Sequence, residues 1–290
     1  VCSDTDLNGT IYSKSTGSDV ALTAAWAGAG GFTPGTSTLK MTGAGKSLNY
    51  LSGEVLSNLD IANTSGTVTA SVLTGTNNLT VSSLTVEGSG GSFTAPAGTL
   101  TINSYAPSGD PIIFGIKSGG TYVHSSGNVE VTTAANSKWI YDIGTGNLNN
   151  LIINYSGNTN ELAAALTIDG NLTITAGTLT TSGSNLALTV TGSTTVGVGS
   201  GSADVSTLTC NASAVSLGTG VTGTHSLVVE IGGTFVGGSG THTLGSLNIK
   251  NSTAAKCTLT SGVTTIDGEG AANKAINIEG SNGVTNFAHG

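Results

Sequence analysis

A chain of 290 residues carrying 8 Lys+Arg against 16 Asp+Glu has a formal net charge of −8, yet charged residues make up only 8% of it and aromatics 4%. All eight cations are Lys, with no Arg and no Gln anywhere. Without the planar guanidinium fork that grips phosphate, and with a sequence pI of about 4.7, the composition argues against a nucleic-acid partner. A mean hydropathy of +0.18 and many spaced Leu, Ile and Val residues separate the chain from the disordered class, which combines low hydrophobicity with high net charge.

In chain order, residues 1–30 fit no repeat and read as an N-terminal cap or assembly segment. They lack the charged and apolar sections of a signal peptide, so Val1 reads as an internal or processed start. No apolar run approaches the roughly 18 residues of a membrane span. From residue 39 onward one word recurs, apolar-polar-apolar: Leu39-Lys-Met41, Leu59-Asp-Ile61, Leu79-Thr-Val81, Leu84-Thr-Val86, Leu100-Thr-Ile102, Val129-Glu-Val131, Leu166-Thr-Ile168, Leu172-Thr-Ile174, Leu188-Thr-Val190, Leu247-Asn-Ile249 and Ile276-Asn-Ile278. A period of two predicts short strands with the outer residues on a dry face and the middle one on a wet face. Gly-rich pieces such as Ser89-Gly-Gly-Ser92 and Asp169-Gly170 supply the corners. Glu161–Leu166, the best helix candidate, is shorter than two turns and runs straight into a strand word, so it reads as strand or turn.

Three longer segments align: Gly31–Thr42, Gly120–Thr132 and Gly233–Leu244 each open with Gly and an aromatic residue, and each precedes a strand with Asn or Ser before Leu. They define three degenerate units, 31–119, 120–232 and 233–290 (the last including a C-terminal cap), in one continuous domain. The predicted fold is all-β, a β-helix-like solenoid of stacked short strands, with β-sandwiches as the alternative. An interior of Leu, Ile and Val with hardly an aromatic favours the narrow solenoid; Trp26 and Trp139 read as caps or plugs.

Candidate chemistry is sparse. Cys2, Cys210 and Cys257 show no metal-type spacing. Cys210 and Cys257 sit where core residues alternate, as buried small hydrophobes or as one disulfide. Asp267 and Glu269 form a close acidic pair that reads as an exposed turn, short of the paired carboxylates of a glycan hydrolase. His124, His225, His242 and His289 are too dispersed for a metal motif. In Gly237–Leu244, His242 stands where a calcium-binding glycine repeat needs Asp, so that segment reads as a glycine corner. The Asn-x-Ser/Thr triplets at Asn154, Asn171 and Asn211 matter only if the source glycosylates exported proteins. No catalytic, cofactor or metal residue is assigned.

The Gly-aromatic phrase, the Asn-Leu-x-Ile strand and the run Leu166-Thr-Ile-Asp-Gly-Asn-Leu-Thr-Ile-Thr-Ala-Gly-Thr-Leu179 resemble bacterial and phage β-strand-repeat proteins, among them surface adhesins and fibres. The resemblance covers most of residues 31–267 and implies an exported structural role; it carries over no catalytic residue. The expectation is therefore a non-catalytic extracellular protein of a cell surface or virion, a self-associating subunit of a surface layer, filament or viral fibre. Segments 1–25 and 270–290 would be its docking ends. An adhesin or phage receptor-binding module for cell-surface glycans is the alternative, and a polysaccharide-active enzyme the third.

Overall fold

A computed structural model describes residues 10–13, 20–21, 38–42, 45, 47–50, 52, 55–72, 75–88, 90–103, 112–132, 137–140, 146–181, 183–199, 205–218, 221, 223–250, 255–279 and 287–289. Cys2, Trp26, the start of the first aligned segment and most of the proposed N-terminal docking end lie outside them. So do the side chains of Trp139 and His289. The described residues are all-β except for one 3₁₀ turn, Ala271–Asn273. They fall into two compact units, one from Val1–Thr133 with Trp139–Asn147, the other from Ala134–Lys138 with Leu148–Gly290.

Each unit is a parallel β-solenoid. Sandwiches pair their strands antiparallel, whereas the pairings inside both units run parallel. In the second unit, Leu166–Ile168, Leu188–Val190, Val215–Leu217, His242–Leu244 and Thr264–Ile266 form one five-stranded face. Its inward columns run Leu166, Leu188, Val215, His242, Thr264 and Ile168, Val190, Leu217, Leu244, Ile266. A second face stacks Leu151, Leu172, Thr194, Leu227, Leu247 and Ile276, and a third stacks Leu179, Leu208, Phe235 and Cys257. The outer residues of each sequence word are thus the inward residues of one rung, and they cover the same positions of the rung before.

The first unit repeats this arrangement. Leu39, Leu59, Leu84 and Phe114 share one column, Met41, Ile61, Val86 and Ile116 the next. These side chains are buried, and each fully buried aliphatic residue contributes about 1.5–3 kcal/mol relative to exposure. The interior holds more aromatic rings than the sequence suggested. Phe93 and Tyr122 pair across rungs, Phe114 meets Tyr122 edge-on at 5.4 Å, and Phe235 lies in the second unit's core. The reason is period two: in Gly120-Thr-Tyr122 and Gly233-Thr-Phe235 the aromatic residue belongs to a strand, Thr121–Val123 or Gly233–Val236, and points inward. The Gly-aromatic phrase is thus the beginning of a rung.

The Asn before Leu has a defined task at the corner. Asn150 Oδ1 accepts the backbone N–H of Asn171 at 2.8 Å, and Asn171 Oδ1 accepts that of Ser193 at 2.8 Å, one coil further on. Asn78 serves Thr99 in the same way in the first unit. The residue preceding the donating N–H must then lie against the coil that supplies the acceptor. A Cβ on Gly170 would press on Asn150 Oδ1 and sit 2.6 Å from the Asn149 carbonyl oxygen; Gly98 is confined alike by Asn77 and Asn78. The local phrase Gly-Asn-Leu is therefore a coil-to-coil joint, with glycine supplying clearance and asparagine the acceptor.

Gly170→Ala is expected to lower unfolding stability by about 1–3 kcal/mol, the usual cost of forcing atoms into a packed site. Gly183→Ala, where nothing lies within 4 Å of the added carbon, should stay within about 0.5 kcal/mol of the parent. Urea unfolding of the two variants beside the parent measures both.

Candidate functional site

Few side chains here carry charge, and three ion pairs meet across coils in strand register. Lys40 stands opposite Asp60 in the ladder and donates to its carboxylate at 2.5 Å. Lys117, one residue past the Ile116 to Val86 pairing, donates to Glu87 at 2.8 Å. Lys250 and Glu279 follow the Ile249 to Ile278 pairing and meet at 2.9 Å. The wet residues of the words thus contact one another at the spacing of adjacent parallel strands, about 4.8 Å.

The densest polar group surrounds Glu279 on the last coils of the second unit. Its Oε1 accepts from Lys250 Nζ at 2.9 Å and from Asn248 Nδ2 at 3.1 Å; Asn277 Nδ2 donates to Asn248 Oδ1 at 3.1 Å, and Lys274 Nζ to Asn277 Oδ1 at 3.1 Å. The hydrogen bond from Lys250 holds the Glu279 carboxyl below the ordinary carboxylate range, and the same bond raises Lys250. The two words Leu247-Asn-Ile-Lys250 and Ile276-Asn-Ile-Glu279 superpose to give this group. The signal was present in the sequence but was not used, because the words were read singly rather than stacked. Chemically the group ties one coil to the next: a single carboxylate receives several donors, and Glu230 acts on Lys250 through space.

Other sequence candidates are scattered. Asp267 and Glu269 are exposed around the 266–270 turn, and Asp267 gives its backbone N–H to Leu244. His124 Nδ1 accepts the Ser126 backbone N–H at 2.9 Å in an exposed turn. His242 is fully buried against Phe235, ring centroids 6.0 Å apart, in a column of Leu and Val. His225 is also buried, near Lys250 and Glu279. The side chains of Asn171 and Asn211 are committed to coil joints, Asn211 donating to Thr180 Oγ1 at 2.9 Å. Tyr155 is exposed, and it lies where the strand Asn150–Leu162 breaks register with Leu172–Thr180. Among the described residues no three His, Cys, Asp or Glu side chains come together to hold a metal, and no helix is long and apolar enough to cross a membrane.

Cys210 and Cys257 are free, buried thiols. Leu208 pairs with Phe235 and Phe235 with Cys257, so two strand spacings, about 9.6 Å, separate Cys257 from the strand that leads into Cys210. That exceeds the roughly 7 Å between Cα atoms that a disulfide can bridge. Burial pushes the Cys257 thiol up to about 12, and raises Cys210 further.

No protein-family model, characterised protein or solved structure matches this chain significantly. The functional reading therefore rests on the residues themselves.

Two outcomes are expected. An alkylating thiol reagent leaves Cys210 and Cys257 unmodified in the native protein and labels both in denaturant, as peptide mapping reads, because the reactive species is the thiolate. Stability also depends on pH through the imidazoles. Burial holds His242 and His225 below their usual value, with the Gly237 backbone partly opposing this at His242 and Lys250 reinforcing it at His225. In the unfolded chain they titrate near 6.5 and bind protons that the native state refuses. Stability is therefore full above that pH and falls as pH drops through it. His242→Leu, which restores the aliphatic column, should flatten part of this fall in melting temperature between about pH 7.5 and 5.5.

Proposed function

We propose that this chain is a non-catalytic extracellular structural protein, a subunit of a surface layer, filament or viral fibre that works by self-association. One observation carries the reading: three ion pairs join neighbouring coils in register, Lys40 with Asp60, Lys117 with Glu87 and Lys250 with Glu279. Low charge, Thr on the wet face and corners closed by backbone and amide hydrogen bonds also suit a polymer subunit, since they leave few groups for which water competes. The likeness of the Gly-aromatic and Asn-Leu-x-Ile phrases to bacterial and phage repeat proteins supports an exported, cell-surface or virion setting.

A second reading has its own observation. Tyr155, exposed beside Asn154 at a break in strand register, offers an aromatic plate with an amide neighbour, the chemistry on which sugar rings stack. An adhesin or receptor-binding module would use it.

Incubation with a panel of polysaccharides and a glycan array separate these readings. The structural role predicts neither turnover nor a glycan signal. A glycan signal abolished by Tyr155→Ala would transfer the function to the adhesin, and turnover of any polysaccharide would overturn the non-catalytic assignment.

A further inference from the structure

Two imidazoles of the second unit are buried, and one stretch of chain covers both. His242 is 0% exposed and His225 7% exposed. Among the described residues neither ring nitrogen of His242 has a hydrogen-bond partner, and His225 Nδ1 has none. In the parallel ladder Thr264 lies on His242, Thr265 on Thr243 and Ile266 on Leu244. Thr264 Oγ1 is itself buried and unpartnered, so the side chain stacked on His242 offers it no hydrogen bond. Further along the same stretch, Gly270 lies against the other ring: a Cβ there would collide with Nδ1, Cε1 and Cγ of His225.

The surroundings of both rings disfavour a positive charge. The elements packed on His242, which are Val215–Leu217, Gly233–Val236 and Thr264–Ile266, carry no charged side chain. Burial keeps the Cys257 thiol, which stacks on Phe235, protonated and neutral. The Gly237 backbone favours the charged ring of His242 from nearby without a formed hydrogen bond. His225 faces Lys250 and Lys274, which oppose its protonation, and Glu279, which favours it. Asp267 and Glu269, on the covering stretch itself, are exposed to solvent. A charge placed on either ring therefore lacks an adequate acceptor or counter-charge while the stretch stays in place.

The covering stretch is tied at both ends and strained in between. Before it, Thr260 Oγ1 donates to the Gly240 carbonyl at 2.6 Å and the Ser261 N–H to the Gly238 carbonyl at 2.8 Å. After it, the Leu247 N–H donates to the Ala275 carbonyl at 2.8 Å, and Glu279 holds Lys250 at 2.9 Å. Between these anchors Ala272 and Asn273 have φ of 56° and 59°, a left-handed conformation that is costly for alanine and that opening relieves.

We infer that residues 263–274 form an acid-released flap, closed over His225 and His242 while both rings are neutral and swung away when they take up protons. Release uncovers the strand His242–Leu244 and its column, while the tied ends keep the flap on the stack. The inference goes beyond the structural role proposed above and does not depend on it. The open form binds two more protons than the closed one. Below the ordinary imidazole value of about 6.5, its population therefore rises by up to about 100-fold for each unit that pH falls, and by about 10-fold with one ring removed.

Hydrogen exchange between about pH 7.5 and 5.5, expressed as protection factors so that the intrinsic pH dependence cancels, tests the flap. The N–H groups of His242, bonded to Val263, and of Asp267, bonded to Leu244, should lose protection together as pH falls. Those of Thr191, bonded to Ile168, and of Glu279, bonded to Ile249, should keep theirs, as should that of Glu87 in the first unit, bonded to Ile61. His225→Leu and His242→Leu should each reduce the pH dependence to about 10-fold per unit, and the double variant should abolish it. Circular dichroism at neutral pH confirms that each variant is folded. The parent alone decides should a variant fail to fold: ring-proton shifts should show His225 and His242 titrating in step with the loss of protection at Asp267, apart from the exposed-turn His124. Protection at Asp267 that is unchanged by acid, a loss shared evenly by both units, a double variant that keeps the pH dependence, or buried imidazoles that titrate with Asp267 still protected would each overturn the flap.

Discussion

Everything in these two units depends on parallel register between one coil and the next. The repeated word places two aliphatic residues on the same side of a strand, and only a partner in the same register sets aliphatic upon aliphatic. A slip of one residue would turn each pair outward and bring the Thr, Asn or Lys between them into the core. Among the described residues the cysteines do not bridge and no metal cluster forms. Stability is then close to a sum of terms between neighbouring coils, and a defect such as a side chain at Gly170 is felt first by the two coils it separates.

Register needs more than hydrophobic burial, because Leu, Ile and Val are nearly interchangeable within a column. The polar residues supply the discrimination. Lys40 meets Asp60 only when Leu39 covers Leu59, and Lys250 meets Glu279 only when Ile249 covers Ile278. Exposed pairs of this kind are worth little in absolute stability, about 0–1 kcal/mol, but a misaligned coil loses them and sets unmatched charges against apolar neighbours. The Asn joints act in the same sense: Asn150 and Asn171 reach a backbone N–H exactly one coil away. These three ion pairs and the Asn joints stand where they exclude the wrong stack.

Much of this was legible in the words themselves. Period two, aliphatic choice and glycine-rich corners led to the solenoid, and the same words line its columns. What stayed hidden was the coil. Leu227 to Leu247 is 20 residues, but Thr194 to Leu227 is 33, because the loops between rungs vary while the rungs do not; a fixed period does not survive such insertions. The Gly-aromatic phrases were seen as openings of the aligned segments but not as strands, since their aromatic residues show an inward side only once the strand is known to begin at or beside the glycine. His242 was read only as standing where a calcium-binding repeat needs Asp, whereas the column to which it belongs, Leu188, Val215, His242, Thr264, appears only once the coils are superposed. Ion pairs were missed for the same reason: they are properties of two words, not of one.

A stack stabilised by its neighbours has an unavoidable consequence at its ends. Each interior coil is covered twice, but a terminal coil is covered once, and its uncovered side carries the same columns and the same backbone ladder. In the second unit the final described rungs keep Ile266, Ile276 and Ile278 in the core columns, with Lys274 and Glu279 outside them in the polar network of the wet face. Those charges tie the coil to the one behind it, so the last described rung is held by the same combination of aliphatic columns and polar joints as the rungs before it.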